Sequence, residues 1–262
     1  MGFEPERIGY TQEAMGHWLN DFVCFSLGRF CAGAFHLRRL GLRYAAGPLD
    51  WMGSDEPQGL LDVLATRFED FMALENLLVI DQHHGHWVVV DERFRIRAAH
   101  VFPIDPRLLP GSPGFSEQPR SGVGMLSYWR LRFRNPPSRL RVRATESCSQ
   151  GGVIELECYP WAIRRIRRRV AAFLRALDDP QPVLLIRQED GMDEILRLLK
   201  LLRKLRKGRP FRLLAVGPDP TFRETSDIEE LLTFPMEAID SMKGPDSWQG
   251  DHEAWDRALD AG

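Results

Sequence analysis

The chain has 262 residues, of which 44% are hydrophobic and 27% are charged, and its formal net charge is -2. This composition is typical of a globular protein and argues against intrinsic disorder for most of the chain. No apolar run approaches the roughly 20 residues that a bilayer-spanning helix needs, and the first residues do not resemble a signal peptide. The four cysteines match neither a CxxC metal pair nor a dense disulfide framework, so we expect a cytoplasmic protein that does not associate with membranes.

The first third of the chain predicts alternating strands and helices. Residues 1–20 are expected to form an N-terminal arm or a short helix, and residues 21–262 a single α/β domain. A continuous apolar run at residues 22–27 predicts a buried strand, and residues 31–40 predict a helix. Residues 57–71 begin with a proline and carry one apolar face, which predicts a second helix.

Three strands are predicted next. Residues 77–80 and 87–90 read as two strands around a turn that contains Gly85. Residues 94–102 alternate between apolar and polar side chains, which predicts a third strand with His100 on its apolar face. The many Pro, Gly and Ser residues at about 103–125 predict a long loop, which in a compact domain often forms a lid or a binding segment.

The last third has a β-α-β rhythm. Helices are predicted at 161–177 and 192–207, strands at 183–186 and 211–216, and a final helix at 248–259. Such a rhythm favours a parallel pair of strands. We therefore predict a layered α/β fold, with a mixed sheet and flanking helices.

Cys31 is the first candidate for chemistry because it falls at the start of the predicted helix 31–40. Unpaired N–H groups and the positive end of the helix dipole at that position can lower the pKa of a thiol and bind an oxyanion. A free cysteine is also commonly a small buried hydrophobe, and its position alone leaves both interpretations open.

His100 is the best partner for that thiol, since imidazole titrates near neutral pH and can take up and return a proton. A histidine that is simply part of the core is the rival interpretation. Asp50 or Asp105 could orient the imidazole, following the logic of nucleophile, base and orienting acid. Asp50 could equally cap a helix or a turn.

Arg187 follows the predicted strand 183–186, and ligands of open α/β sheets gather at the carboxyl ends of strands. It could bind a substrate carboxylate or phosphate, or it could pair with Glu189 or Asp190. This leaves an alternative function for the chain, a non-catalytic module that binds a sugar or nucleotide at an anion site near Arg187.

Two further clusters have simpler explanations. His83, His84 and His86 lie near Asp81 and suggest zinc, but a polar hairpin turn explains them better, and we expect no metal and no cofactor. The arginine-rich run at 164–169 is expected to be a solvated helix face. A phosphate or nucleic-acid surface is its alternative, although nucleic acid is not expected to be a partner.

Several motifs together resemble a known family. The first comprises Ser26-Leu27-Gly28, Cys31, Ala34, residues 37–43 and residues 47–51. The others are His100-Val101-Phe102, the strand that ends at Arg187, and Trp248-Gln249-Gly250-Asp251 with Trp255. They resemble the motifs of a bacterial family described as putative papain-like cysteine peptidases. The chain departs from the family pattern at Val101, where an acidic residue is expected, and at Leu49, where phenylalanine is expected.

The resemblance implies a divergent papain-like arrangement of this fold, in which Cys31 is a nucleophile and His100 its base. It also places Arg38 and Trp51 in the first motif and Arg187 in a later one, and these three are expected to contact substrate. We therefore expect a cysteine-dependent hydrolase or acyltransferase that acts on a peptide or a small-molecule acyl substrate, with Asp50 steadying the imidazole. The sequence leaves the oligomeric state open.

Overall fold

The computed structural model describes residue 19 and residues 21–43, 45–54, 56–104, 140–141, 156–189, 191–218, 220–223, 228–237 and 247–260. Its strands are β1 (Val23–Ser26), β2 (Met52–Gly53), β3 (Leu77–His83), β4 (His86–Asp91), β5 (Ile96–Pro103), β6 (Leu140–Arg141), β7 (Val183–Gln188), β8 (Phe211–Gly217) and β9 (Leu231–Pro235). Its α-helices are α1 (Ala32–Arg39), α2 (Pro57–Ala65), α3 (Tyr159–Asp178), α4 (Met192–Arg206) and α5 (His252–Asp260). The predicted arm, except for Leu19, and nearly all of the predicted loop lie outside the described residues.

The strands divide between two sheets, which confirms the α/β class. One sheet has the order β1-β7-β8-β9, and each neighbouring pair in it is parallel. The β7 strand is buried along its whole length, as expected for a parallel sheet covered on both faces. The β-α-β unit predicted for the last third of the chain is therefore present as β7, α4 and β8.

Two hydrophobic clusters cover the two faces of the parallel sheet. On one face, Phe25, Leu185 and Leu213 share a cluster with Phe173 of α3 and with the apolar side of α4. On the other face, the alternate strand residues pack with α1 and α5, as period-two alternation requires. Helix α1, which Cys31 precedes, is thus fixed between the sheet and the last described helix.

The second sheet is antiparallel, in the order β2-β5-β4-β3-β6. A two-residue turn joins β3 to β4, and His84 and Gly85 in this turn both have positive φ, as the common two-residue hairpin turns require. The predicted hairpin is confirmed, and the pairing extends further than predicted because His83 pairs with His86.

Helix α2 is shorter than the prediction for residues 57–71. It ends at Ala65, and Arg67, Phe68, Asp70 and Met72 then adopt positive φ. The apolar face that predicted a longer helix is still buried, because Phe68 packs edge-on against Phe173 with ring centroids 5.6 Å apart. The chain thus leaves the helix after Ala65 and still places Phe68 in the aromatic core.

A buried histidine joins α1 to the C-terminal segment. The ring of His36 stacks on Trp255 with centroids 4.9 Å apart, and its Nε2 lies 2.8 Å from the carbonyl oxygen of Gln249. Arg39 donates to His36 Nδ1 and forms an ion pair with Asp256. Burial is the main cause that lowers the pKa of His36 from 6.5 to about 4, so this ring is neutral in the native protein at neutral pH.

We expect His36 to make the protein sensitive to acid. In the unfolded chain His36 binds a proton with a pKa of 6.5, whereas in the folded chain its pKa is about 4. The free energy of unfolding is therefore unaffected by protonation of this histidine above pH 6.5 and falls as the pH is lowered from 6.5 to 4. Thermal melts of the wild type and of His36→Gln across this range should diverge, with the shallower pH dependence in the variant. Parallel pH profiles of the two proteins would contradict this assignment.

No helix among the described residues is both long enough and apolar enough to cross a lipid bilayer.

Candidate active site

A tight turn presents Cys31 at the carboxyl end of β1. Gly28 and Arg29 both have positive φ, at 77° and 75°. A Cβ on Gly28 would lie 3.1 Å from the carbonyl oxygen of Met52 and 3.2 Å from that of Leu49, so a glycine is needed both for its conformation and for the close approach. The Arg29 N–H donates to Ser54 Oγ at 3.0 Å. The segment that precedes Cys31 is therefore fixed against the loop that ends at Ser54.

Cys31 itself is the N-cap residue of α1, as the sequence predicts for the start of the helix. The first backbone bond of the helix runs from Phe35 N to Cys31 O at 3.0 Å, so the N–H groups of the first turn have no partner within the helix. A Cβ on Gly33 would lie 3.1 Å from Ser26 Oγ, so glycine lets this turn pack closely on the end of β1.

The thiol of Cys31 is half-buried, whereas the other described cysteines, Cys24 and Cys158, are 1% and 2% exposed. Burial raises the pKa of Cys31 from 9.0 to about 11, and the positive charge of Arg97 opposes that shift. Without a ligand, this thiol is therefore protonated at neutral pH. The helix start does not lower its pKa in the way that the sequence suggests.

The predicted orientation of His100 is wrong, because β5 contains a bulge. Val89 pairs with Ala98 and Trp87 pairs with Phe102, so three residues of β5 face the single residue Val88 of β4. A bulge re-aims side chains and breaks simple alternation. Ala98 and Phe102 are both fully buried, and His100 between them is turned to the exposed side.

His100 has aromatic neighbours from three parts of the chain. Its ring centroid is 6.5 Å from that of Trp51, 5.6 Å from His83 and 6.3 Å from His86. Burial, followed by the charges of the nearby histidines, lowers its pKa from 6.5 to about 4. The ring is exposed and neutral at neutral pH, so it is available as a base.

Trp51 links His100 to the C-terminal segment. It has a φ of 65°, which is uncommon for a bulky residue, and its ring is 6.1 Å from that of Trp248. The Trp248 ring is in turn 5.3 Å from Phe35, which lies one helical turn after Cys31. The aromatic residues therefore form a continuous wall from the helix of Cys31 to His100. The positive φ of Trp51 within this wall is also notable, because strained backbone often marks a functional site.

Asp50, the expected orienting acid, has other partners. Its Oδ2 accepts from Gly47 N at 2.8 Å and forms an ion pair of 2.6 Å with Arg43. Burial raises the pKa of this carboxyl, and Arg43 and the Gly47 N–H oppose the shift. The structure thus has the turn-capping arrangement that the sequence left open. Asp105, the other candidate, lies outside the described residues.

Arg187, the expected anion ligand, is 1% exposed. Its guanidinium donates to Ser54 Oγ at 2.6 Å, to the carbonyl oxygen of Leu27 at 3.2 Å and to Glu189 Oε2 at 2.8 Å. Glu189 also pairs with Arg29. The expected salt bridge to Glu189 is therefore present. Arg187 also joins the ends of β1 and β7 to the loop that ends at Ser54.

The other sequence candidates are dispersed. Arg38 is exposed on α1. The rings of His83 and His84 are 4.0 Å apart, but no three His, Cys, Asp or Glu side chains in the described part of the chain are placed to hold a metal ion.

Arg97 is the site residue that sequence reasoning missed. It lowers the pKa of Cys31 and also acts on that of His83, so its charge lies within reach of both. A Cβ on Gly53 would be 2.9 Å from Arg97 Nη2, so glycine on the neighbouring strand makes room for the guanidinium. The sequence indicated Arg97 only through its position on the charged face of the predicted strand 94–102, opposite the apolar face.

We expect Arg97→Gln to raise the pKa of Cys31 further, because it removes the charge that opposes burial. Alkylation of Cys31 by iodoacetamide, followed by peptide mass spectrometry from pH 7 to 10, should slow at every pH, and Arg97→Lys should restore part of the rate. Arg95→Gln removes an exposed arginine that pairs with Glu56 and serves as the control. An unchanged Cys31 profile in Arg97→Gln would refute this electrostatic role.

Comparison with known sequences locates a family signature in this part of the chain. Residues 22–104 match the sequence model of a family described as "Putative papain-like cysteine peptidase". No curated protein and no solved structure matches the chain. The matched segment runs from β1 to the end of β5 and contains both Cys31 and His100. Over residues 22–104, the chain therefore carries the signature of the putative papain-like cysteine peptidases.

Proposed function

We propose that this protein is a cysteine-dependent acyl-transfer enzyme in which Cys31 is the nucleophile and His100 the general base. The observation that carries the proposal is the position of Arg97. Its charge acts on both Cys31 and His83, and the His83 ring lies 5.6 Å from that of His100. A cation that acts both on the thiol and on a ring neighbouring His100 supports the pairing of Cys31 and His100 as nucleophile and base.

The protonation states favour a mechanism without a preformed ion pair. Cys31 has a pKa of about 11 and His100 a pKa of about 4, so the thiol and the imidazole are both neutral before substrate binds. As the sulfur attacks a carbonyl carbon, the imidazole takes the thiol proton. The tetrahedral intermediate then collapses to a thioester, and the imidazolium returns the proton to the departing amine or alcohol.

The negative charge that develops on the carbonyl oxygen has donors close to the sulfur. The N–H groups in the first turn of α1 have no partner within the helix. Arg97 of β5 adds a positive charge that acts on the thiol. Donors that are already in place where charge develops account for much of the rate of such reactions.

The acceptor decides the reaction class. Water would release the acid and make the protein a peptidase or amidase, whereas an amine or alcohol would make it a transferase. Trp51 fits a role in holding the substrate, because its ring lies between those of His100 and Trp248. We propose that the acyl group enters along this aromatic wall.

Acylation by an activated ester tests the proposal directly. The full chain is mixed with p-nitrophenyl acetate at pH 7.5, and p-nitrophenol release and intact mass are followed together. We expect an acetyl adduct on Cys31 that accumulates and then decays, and that is absent in Cys31→Ala. Acetylation spread over lysines, with equal p-nitrophenol release by Cys31→Ala, would exclude Cys31 as the nucleophile.

A further inference from the structure

Helix α3 contributes several arginines to the neighbourhood of the candidate site. We call Arg43, Arg165, Arg168 and Arg169 the arginine cluster. The three from α3 are spaced so that they share one face of the helix, on which Arg165 and Arg169 are half-buried and Arg168 is exposed. The described part of the chain places no carboxylate within ion-pair distance of these three, and Asp50 pairs only with Arg43.

The arginine cluster concentrates positive charge. Burial and then the charge of Arg165 lower the pKa of Arg169 to about 10, although Asp50 opposes the shift. Burial and the charges of Arg43 and Arg168 lower the pKa of Arg165. The Nε of Arg43 is also buried without a hydrogen-bond partner. The arginine cluster thus has two half-buried cations, a single counter-charge and a buried donor without an acceptor. A bound anion would supply both the missing negative charge and the acceptor.

The arginine cluster borders the catalytic pair along two routes. Arg165 acts on the pKa of His86, whose ring is 6.3 Å from that of His100. Arg43 forms an ion pair with Asp50. Trp51, which follows Asp50 in the chain, has its ring 6.5 Å from that of His100. A ligand in contact with the arginine cluster could therefore reach the proposed base.

We propose that the arginine cluster binds a phosphate group, as a monoester or a pyrophosphate, carried by the acyl substrate of this enzyme. Guanidinium groups are flat forks of donors that match phosphate oxygens in pairs. The Arg165 guanidinium lies over the Trp161 ring at 5.3 Å, so a ring supports it on one side. That the phosphate belongs to the acyl substrate rests on the proposed function, whereas the binding of phosphate to the arginine cluster does not.

A phosphate on a small molecule fits better than a nucleic acid. Arg164 and Arg167 are exposed, whereas Arg165 and Arg169 are half-buried, and the charge of Asp50 acts on Arg169. A polyanion that binds a solvated face would use the exposed arginines at least equally, and its affinity would fall steeply with salt. A site built on the half-buried arginines instead favours one compact anionic group.

Titration calorimetry at constant ionic strength tests the proposal, with sodium pyrophosphate as the probe and the full chain in the cell. We expect saturable binding to the wild type, at least tenfold weaker binding to Arg165→Gln and to Arg169→Gln, and unchanged binding to Arg167→Gln. Lack of saturation in the wild type would overturn the proposal. So would equal weakening in Arg167→Gln, or tighter binding of a 20-base-pair DNA duplex that Arg167→Gln weakens.

Two further measurements separate this proposal from the proposed function. Pyrophosphate should bind to Cys31→Ala as tightly as to the wild type, because the thiol is not part of the arginine cluster. Saturating pyrophosphate should slow alkylation of Cys31 at least twofold in the wild type and not in Arg165→Gln. Binding without this protection would assign the site to a free phosphate and refute the substrate role. Binding to a protein with no acylation at Cys31 would refute the proposed function alone.

Discussion

Replacing His100 with alanine is expected to slow acylation of Cys31 by p-nitrophenyl acetate about 100- to 10,000-fold at pH 7.5, the range that a general base contributes. The reason is the protonation of the thiol. Because the pKa of Cys31 is about 11, very little thiolate exists at this pH, and the attacking sulfur needs a base to take its proton. His100 is the exposed imidazole of the site whose lowered pKa, about 4, leaves it neutral.

The pH profile distinguishes this mechanism from a simple loss of structure. In the wild type, the rate should be nearly flat between pH 6 and 8, because both groups keep their neutral forms over that range. In His100→Ala, the rate should rise about tenfold per pH unit, since only the thiolate can then react. His84→Ala removes an exposed imidazole of the same histidine group and serves as the control. Equal rates in His100→Ala and His84→Ala would exclude His100 as the base.

The local sequence was sufficient for the elements that carry Cys31. The apolar run at 22–27 became β1, and the cysteine became the N-cap residue of α1. Both patterns are local, because a buried parallel strand reads as a continuous apolar run and a helix as a period near 3.6. The β-α-β unit of β7, α4 and β8 was predictable for the same reason.

The site itself was less predictable, because it depends on contacts between distant residues. The bulge that exposes His100 is a mismatch in length between two strands, and alternation along β5 alone cannot record it. The partner of Asp50 was also hidden, since Arg43 could be identified only once the loop between them was folded. Burial, which raises the pKa of Cys31 above that of a free thiol, is likewise a property of the whole fold.

A methyl group on Gly217 should destabilise the protein and disturb the candidate site together. Its Cβ would lie 1.9 Å from the carbonyl oxygen of Glu189 and 2.9 Å from a ring carbon of Phe222. Because the first of these is backbone, β8 or the end of β7 must move, and overpacking of this kind costs about 1–3 kcal/mol. Urea unfolding of Gly217→Ala should show a lower free energy of unfolding with an unchanged denaturant slope.

The disturbance should reach Cys31 through Glu189. This carboxylate holds both Arg187 and Arg29, and Arg29 belongs to the strained turn that presents the cysteine. A shift of the Glu189 backbone would loosen that turn, so the acylation rate of Cys31 should fall at temperatures where the variant is still folded. Gly208→Ala is the control: its φ of 82° makes alanine unfavourable, but no atom lies within 4 Å of the added carbon. The Gly208→Ala variant should lose stability and keep its acylation rate. If Gly217→Ala also kept its acylation rate, the ion pairs of Glu189 with Arg29 and Arg187 would not position the nucleophile.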